Sequence, residues 1–200
     1  MNSFKILDCT LRDGGYYNNW DFSLELVSDY LEAMVSIQVD YVEIGFRLIS
    51  NHDFKGGCAF STDSYLNSLI IPNELKNKIG VMVNGSDVLS QGNSQGDIYK
   101  VLKELFAPKE QSPVSLVRIA CHLGEFEHCL PAANWLKDQG YKVGFNLMQI
   151  NDKDEKKIAE VLELANAYPI DVLYFADSMG SLNTEQISTI VNIFKNNWNG

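Results

Sequence analysis

Leu7-Asp8-Cys9-Thr10-Leu11-Arg12-Asp13-Gly14-Gly15 is the stretch on which the fold turns, because it sets a cation and a carboxylate side by side where an apolar strand meets a glycine turn. If that turn opens into a pocket, Asp13 offers a hard oxygen to a divalent metal. Arg12 offers a guanidinium to negative charge developing on a substrate oxygen. Together they suit chemistry that passes through an enolate.

Outward from that stretch, short apolar runs alternate with longer amphipathic ones along the whole chain. Lys5 to Asp8, Tyr41 to Gly45, Ile79 to Asn84, Leu116 to His122, Lys142 to Ile150 and Val172 to Ala176 read as strands. Ser23 to Ile37, Thr62 to Ile71, Asp97 to Phe106, Glu125 to Gln139, Asp152 to Ala167 and Thr184 to Phe194 read as helices. Asn151-Asp152 and Asn183 are start signals and Gly140 is a stop signal. Strands apolar on both faces and separated by helices predict a parallel sheet covered by helices, either doubly wound or a barrel. Polar residues decide between them. Arg12 and Asp13, Glu43 and Arg47, Asn84, His122, Asn146 and Gln149, and Asp177 and Ser178 all fall at C-terminal strand ends, so every strand feeds one rim. No GxGxxG or GxxxxGK[ST] loop marks a doubly wound nucleotide site. The fold class read here is α/β, a (β/α)₈ TIM barrel with about six βα units present.

The 200 residues read as a single domain, incomplete at its C-terminus because a seventh strand would begin just past Gly200. A hydrophobic fraction of 46% and a charged fraction of 21% describe a soluble chain able to bury one substantial core. A net charge of −10 argues against nucleic acid or an anionic membrane surface as partner. No apolar run reaches the length of a membrane span, and Met1-Asn2-Ser3-Phe4-Lys5 has no leader pattern, so a cytoplasmic location is expected. The four cysteines form no CxxC pair and are read as reduced thiols. Cys121-His122 followed by His128-Cys129 offers four soft ligands for Zn²⁺, but a strand end and the next helix would point them apart.

Asp8-Cys9-Thr10-Leu11-Arg12-Asp13-Gly14 resembles the D-x-T-L-R-D-G signature of the DRE-TIM metallolyases, the group of hydroxymethylglutaryl-CoA lyase, 4-hydroxy-2-oxovalerate aldolase and the isopropylmalate and homocitrate synthases. Val42-Glu43-Ile44-Gly45-Phe46 resembles the family's second-strand segment, and Phe175-Ala176-Asp177-Ser178-Met179-Gly180 its sixth. The resemblance runs from Lys5 to about Asn192. It implies that Asp13 is a metal ligand for Mn²⁺ or Mg²⁺ in preference to Zn²⁺, that Arg12 stabilises the enolate oxygen, and that Glu43 orients them through a pair with Arg12. Asp177 and Ser178 would then bind substrate. Asn146 is chosen over Gln149 as a substrate hydrogen-bonding group, since Phe145 and Leu147 then share the helix-facing side. His122 is a candidate acid or base in the neutral range.

The chain departs from the family at two places. The lyases complete their metal site with an H-x-H pair on the seventh strand, and His52, His122 and His128 do not form one. The expectation is that the chain is truncated, and that alone it binds metal weakly, is inactive, and self-associates through bare sheet edges or is poorly stable. Where the aldolases place a histidine three residues past the metal aspartate, this chain has Tyr16, a poor base near neutrality; it could donate a proton, bind substrate or pack under the loop. The implied activity is a divalent-metal-dependent carbon–carbon lyase on a 2-oxo or hydroxy acid, in a homo-oligomer. The alternatives are a Claisen-type acyltransferase using a CoA ester, disfavoured because the synthases' Glu-Gln pair after the glycine is missing, and a barrel-derived binding module without catalysis.

Overall fold

The computed structural model describes residues 4–49, 53–151 and 153–200. His52 and Asp152, the latter read from the sequence as part of a helix start, lie outside them. In chain order the elements are β1 (Leu7–Asp8), α1 (Thr10–Gly14), a 3₁₀ turn (Gly15–Tyr17), α2 (Leu24–Ser36), β2 (Tyr41–Phe46), α3 (Gly57–Phe60), α4 (Asp63–Ser68), β3 (Ile79–Asn84), α5 (Gly85–Val88), α6 (Gln95–Leu105), β4 (Leu116–His122), α7 (Leu123–Cys129), α8 (Pro131–Asp138), β5 (Lys142–Met148), α9 (Glu155–Ala165), β6 (Val172–Ala176) and α10 (Thr184–Asn197). The sheet orders its strands β1-β2-β3-β4-β5-β6. This is the α/β class read from the sequence. Among the described residues no helix is long and apolar enough to cross a membrane.

By contact the chain forms two compact units. The first holds Met1–Val83, Leu105–Val117 and Gln139–Tyr141; the second holds Asn84–Glu104, Arg118–Asp138 and Lys142–Gly200. In the first, β1 pairs parallel with β2 and β2 with β3. Its long helix α2 begins where the Ser23 hydroxyl accepts the Leu26 N–H at 3.2 Å, and it buries Val27, Leu31 and Met34 at helical spacing. In the second, β5 pairs parallel with β6, and α10 opens on a capping box made by Asn183 and Gln186.

Several sequence boundaries needed correction. The expected glycine turn after β1 is a helical turn, because the Asp13 N–H donates to the Cys9 carbonyl at 2.9 Å and the Thr10 N–H to the Asp8 carboxylate at 2.9 Å. The expected helix over 62–71 is α4 alone and ends at Ser68; a separate helical turn, α3, precedes it across Ser61, which takes a left-handed φ of 36°. Pro131 opens a new helix inside the expected 125–139 span, since its missing N–H suits a first turn and not an interior. α6 starts at Gln95, two residues ahead of the expected Asp97, and a short helix, α5, follows β3. β5 stops at Met148, because Gln149 has a left-handed φ of 51°; strand alternation does not extend to it. Arg47 is not a rim group. It is buried, donates to the Ser61 and Leu105 carbonyls at 3.0 and 2.6 Å, pairs with Asp63, and lies 4.8 Å from the Phe106 ring. It therefore clamps the segments around it.

The register between β2 and β3 slips between Glu43 and Gly45, so two residues of β2 face one of β3. Without the slip, Glu43 and Phe46 would point to opposite faces; with it, both reach Arg12. Gly45 lies so close to α3 that a Cβ there would sit 1.8 Å from the Cys58 carbonyl oxygen. Gly45→Ala is therefore expected to destabilise the protein by about 1–3 kcal/mol, read as a lower denaturation midpoint with an unchanged slope.

Asp8 carries a second expectation. Burial pushes its pKa up, but the Tyr30 hydroxyl, donating at 2.5 Å, and the N–H and hydroxyl of Thr10 outweigh burial and hold it below its ordinary 3.8. A carboxyl depressed in the folded state adds stability that is fully present above its unfolded value and is lost as the pH falls through the folded one. Tyr30→Phe is thus expected to lower stability at pH 6, and its difference from the wild type in denaturant titrations is expected to shrink as the pH falls below 3.8.

Candidate functional site

The first unit gathers Arg12, Asp13, Tyr16 and Glu43 around α1. Glu43 is fully buried on β2, and its Oε1 accepts the Arg12 Nε–H at 2.7 Å. Arg12 is 14% exposed at the side chain and also pairs, through Nη1, with Asp13, which is 61% exposed. A buried carboxylate stands only with a partner, so Glu43 fixes the guanidinium while Asp13 stays open to solvent. Phe46 adds a ring face 5.8 Å from the guanidinium carbon.

An aromatic cluster holds α1 from the other side. The Trp20 indole N–H donates to the Arg12 carbonyl at 2.8 Å. Asn19 and Trp20 both adopt left-handed backbone, with φ of 58° and 59°, and this bends the chain so that the indole folds back over Gly15. A Cβ on Gly15 would lie 1.9 Å from the indole Cδ1, so only glycine admits this packing. Trp20 meets Tyr16 edge-on at 4.8 Å and Phe46 at 5.5 Å, and the Lys55 ammonium lies 5.4 Å from its ring. Tyr16, 64% exposed, shares with Asp13, Cys9, Thr10, Gly14 and Tyr17 the lining of an open cleft of about 740 Å³. In chemical terms this is a fixed cation beside a solvent-facing carboxylate, with a phenol on the same wall.

The remaining candidates lie in the second unit. His122 is exposed; it caps α7, its N–H donating to the Glu125 carboxylate at 3.0 Å with the ring Nδ1 3.3 Å from the same oxygen. Asn146 is 6% exposed, and its Oδ1 has no hydrogen-bond partner. Asp177 accepts the N–H groups of Leu182 and Ser181 at 2.9 and 3.1 Å; these bonds, led by that from Leu182, hold its carboxyl below the usual range. Ser178 is exposed beside it. The Cys121-His122 and His128-Cys129 set is not assembled: the two thiols meet in the core, while His122 and His128 face solvent. A hydrogen bond to Cys129, then burial, pushes the Cys121 thiol up, so Cys121 stays protonated.

Asp13 fits a hard divalent cation as a single oxygen ligand. Among the described residues, however, no three His, Cys, Asp or Glu side chains converge to complete a site. Sequence reasoning passed over Trp20 and Phe46, whose roles depend on left-handed backbone and a strand bulge that no local pattern announces. It also passed over Arg118, although one charge inside the apolar run Leu116-Val117-Arg118-Ile119-Ala120 was a usable signal.

No family model matches the chain. It is 25% identical over 192 residues to the 4-hydroxy-2-oxovalerate aldolase of Pelotomaculum thermopropionicum, covering 96% of this chain and 53% of that protein. It is 26% identical over 192 residues to the protein of that name from Geobacillus thermodenitrificans, covering 95% and 52%. The chain thus spans about half the length of the curated relatives it matches. Among solved structures, the N-terminal domain of a Bacteroides vulgatus protein described as an aldolase superposes with a TM-score of 0.82 at 28% identity, over 98% of this chain and 62% of that one. The HMG-CoA lyase of Brucella melitensis gives 0.68 at 9% identity, over 98% and 69%, and so speaks to the fold alone. Signature, relatives and fold agree: the chain is a DRE-TIM metallolyase-like domain of the (β/α)-barrel class.

Proposed function

We propose that this domain carries the enolate-stabilising part of a divalent-metal-dependent aldolase that cleaves a small 4-hydroxy-2-oxo acid. The observation that supports it best is the Arg12 guanidinium, held by buried Glu43 beside the solvent-facing Asp13. In the reaction the C4 hydroxyl loses its proton to solvent water in the open cleft and becomes the aldehyde oxygen, the C3–C4 bond breaks, and its electron pair passes to the 2-oxo group as an enolate. Arg12 meets the charge on that oxygen with donors already oriented, so little reorganisation is needed as the charge appears. Glu43 keeps the guanidinium in place and, being fully buried, is a positioning residue that does not touch substrate. Tyr16, on the cleft wall with Asp13, gives a proton to the enolate carbon. A divalent Mn²⁺ or Mg²⁺ would be held by Asp13 together with ligands from outside these residues, and when bound it would polarise the same oxygens as a Lewis acid. Asn146, Asp177, Ser178 and His122 are the substrate-binding candidates of the second unit. The whole protein is proposed to act as a cytoplasmic homo-oligomer.

The full-length protein carrying this chain, incubated with Mn²⁺ or Mg²⁺ and a panel of 4-hydroxy-2-oxo acids, is expected to release pyruvate. Free CoA thiol appearing only with a 2-oxo acid and an acyl-CoA would instead establish the acyltransferase, and inertness toward both would leave the binding module. Arg12→Lys keeps the charge but loses the planar fork, and it is expected to lower kcat by about 10²–10³-fold.

A further inference from the structure

The 3₁₀ turn after α1 puts two adjacent phenols on the wall of the cleft, and the proposed chemistry uses one of them. The Gly15 carbonyl accepts the N–H groups of Asn18 and Trp20 at 3.3 and 3.0 Å, which closes the backbone of Tyr16 and Tyr17 into a fixed loop. Tyr16 rests edge-on against Trp20 at 4.8 Å and against Phe46 at 6.2 Å. Tyr17 is held by its backbone alone. It is 95% exposed, and among the described residues its side chain meets no other ring and makes no hydrogen bond. Both phenols line the open cleft of about 740 Å³ together with Asp13, the only charged residue among the described residues of that wall.

One exposed aromatic is ordinary on a protein surface. This one adjoins the proposed proton donor, inside a cleft of the size that holds drug-sized ligands, on the order of 300–1,000 Å³. In the reaction proposed above, the 2-oxo group lies with Arg12 and Asp13, Tyr16 protonates C3, and the substituent on C4 is the next group along the substrate. Tyr17 is the next residue along the wall. We infer that Tyr17 is the specificity residue for that substituent and selects an apolar ring, which narrows the substrate class to 4-hydroxy-2-oxo acids with an aromatic group on C4. The inference rests on the lyase reading for the position of C4. A planar substituent gains buried area and a ring contact with the phenol, whereas a methyl group beside so open a wall stays largely in water. A side chain with two torsions on a fixed backbone loses little freedom in making the contact. The ring makes it and the hydroxyl does not.

The experiment uses the full-length protein with Mn²⁺ and two pairs of compounds. The pair 4-hydroxy-2-oxo-4-phenylbutanoate and 4-hydroxy-2-oxopentanoate can be cleaved; the pair 2-oxo-4-phenylbutanoate and 2-oxopentanoate lacks the C4 hydroxyl and binds without turnover. Pyruvate release is expected to give the phenyl substrate a kcat/KM at least about tenfold above the methyl one, and calorimetric titration to give the phenyl analogue a similar advantage in Kd. Tyr17→Phe is expected to keep both ratios, and Tyr17→Ala to bring them to about twofold or less. Equal or reversed ratios in the wild-type protein would overturn the inference, and so would a phenyl preference that survives Tyr17→Ala. The wild-type ratios need no variant, so misfolding cannot hide the answer. Pyruvate release without a phenyl preference would reject the aromatic subsite and keep the lyase. A Tyr17-dependent preference for the phenyl analogue with no pyruvate from either substrate would reject the lyase and keep the ring contact.

Discussion

Glu43 puts a carboxylate with no solvent exposure on β2, and Arg12 answers it from α1 with a 2.7 Å hydrogen bond. Each partner constrains the other. The guanidinium cannot leave without stranding a buried charge, and the carboxylate cannot move without releasing the helical turn that carries the signature. The register slip beside Glu43, the Trp20 bond to the Arg12 carbonyl and the Asp8 contacts with Thr10 and Tyr30 all hold that pair in one geometry. The turn is held by these bonds where it faces the core, while Asp13 and Tyr16 face solvent.

Much of this was legible in the residues. Apolar runs separated by amphipathic ones gave the strands their places, because burial on both faces is written directly into composition. The Arg12, Asp13 and Glu43 association was legible because three unusual residue types fell at strand ends. What was not legible depends on backbone states. The helical turn at Thr10 forms through an Asp8 side chain that a strand pattern assigns elsewhere. Phe46 reaches Arg12 only because a bulge breaks the period of two, and Trp20 folds back only through two left-handed residues. Arg47 looked like a rim cation and became a clamp, because its length lets it reach Ser61, Leu105 and Asp63 from a strand end.

Each unit places an arginine differently. The first holds the Arg12 cation beside the open Asp13 carboxylate; the second holds Arg118 near the Tyr174 ring and the buried amide oxygen of Asn146. The same residue type therefore serves two ends: Arg12 is fixed by a carboxylate next to it, and Arg118 by an aromatic ring reached across a strand. Nothing in local sequence separates these uses; burial and reach do.

The dependence of the turn on the Arg12–Glu43 pair is tested most directly by a double-mutant cycle on Arg12→Met and Glu43→Gln, with each stability taken from chemical denaturation. The account expects a coupling energy of about 1.5–3 kcal/mol, since neither single variant retains the buried pair. A coupling below about 0.5 kcal/mol, the range of independent sites, would contradict it.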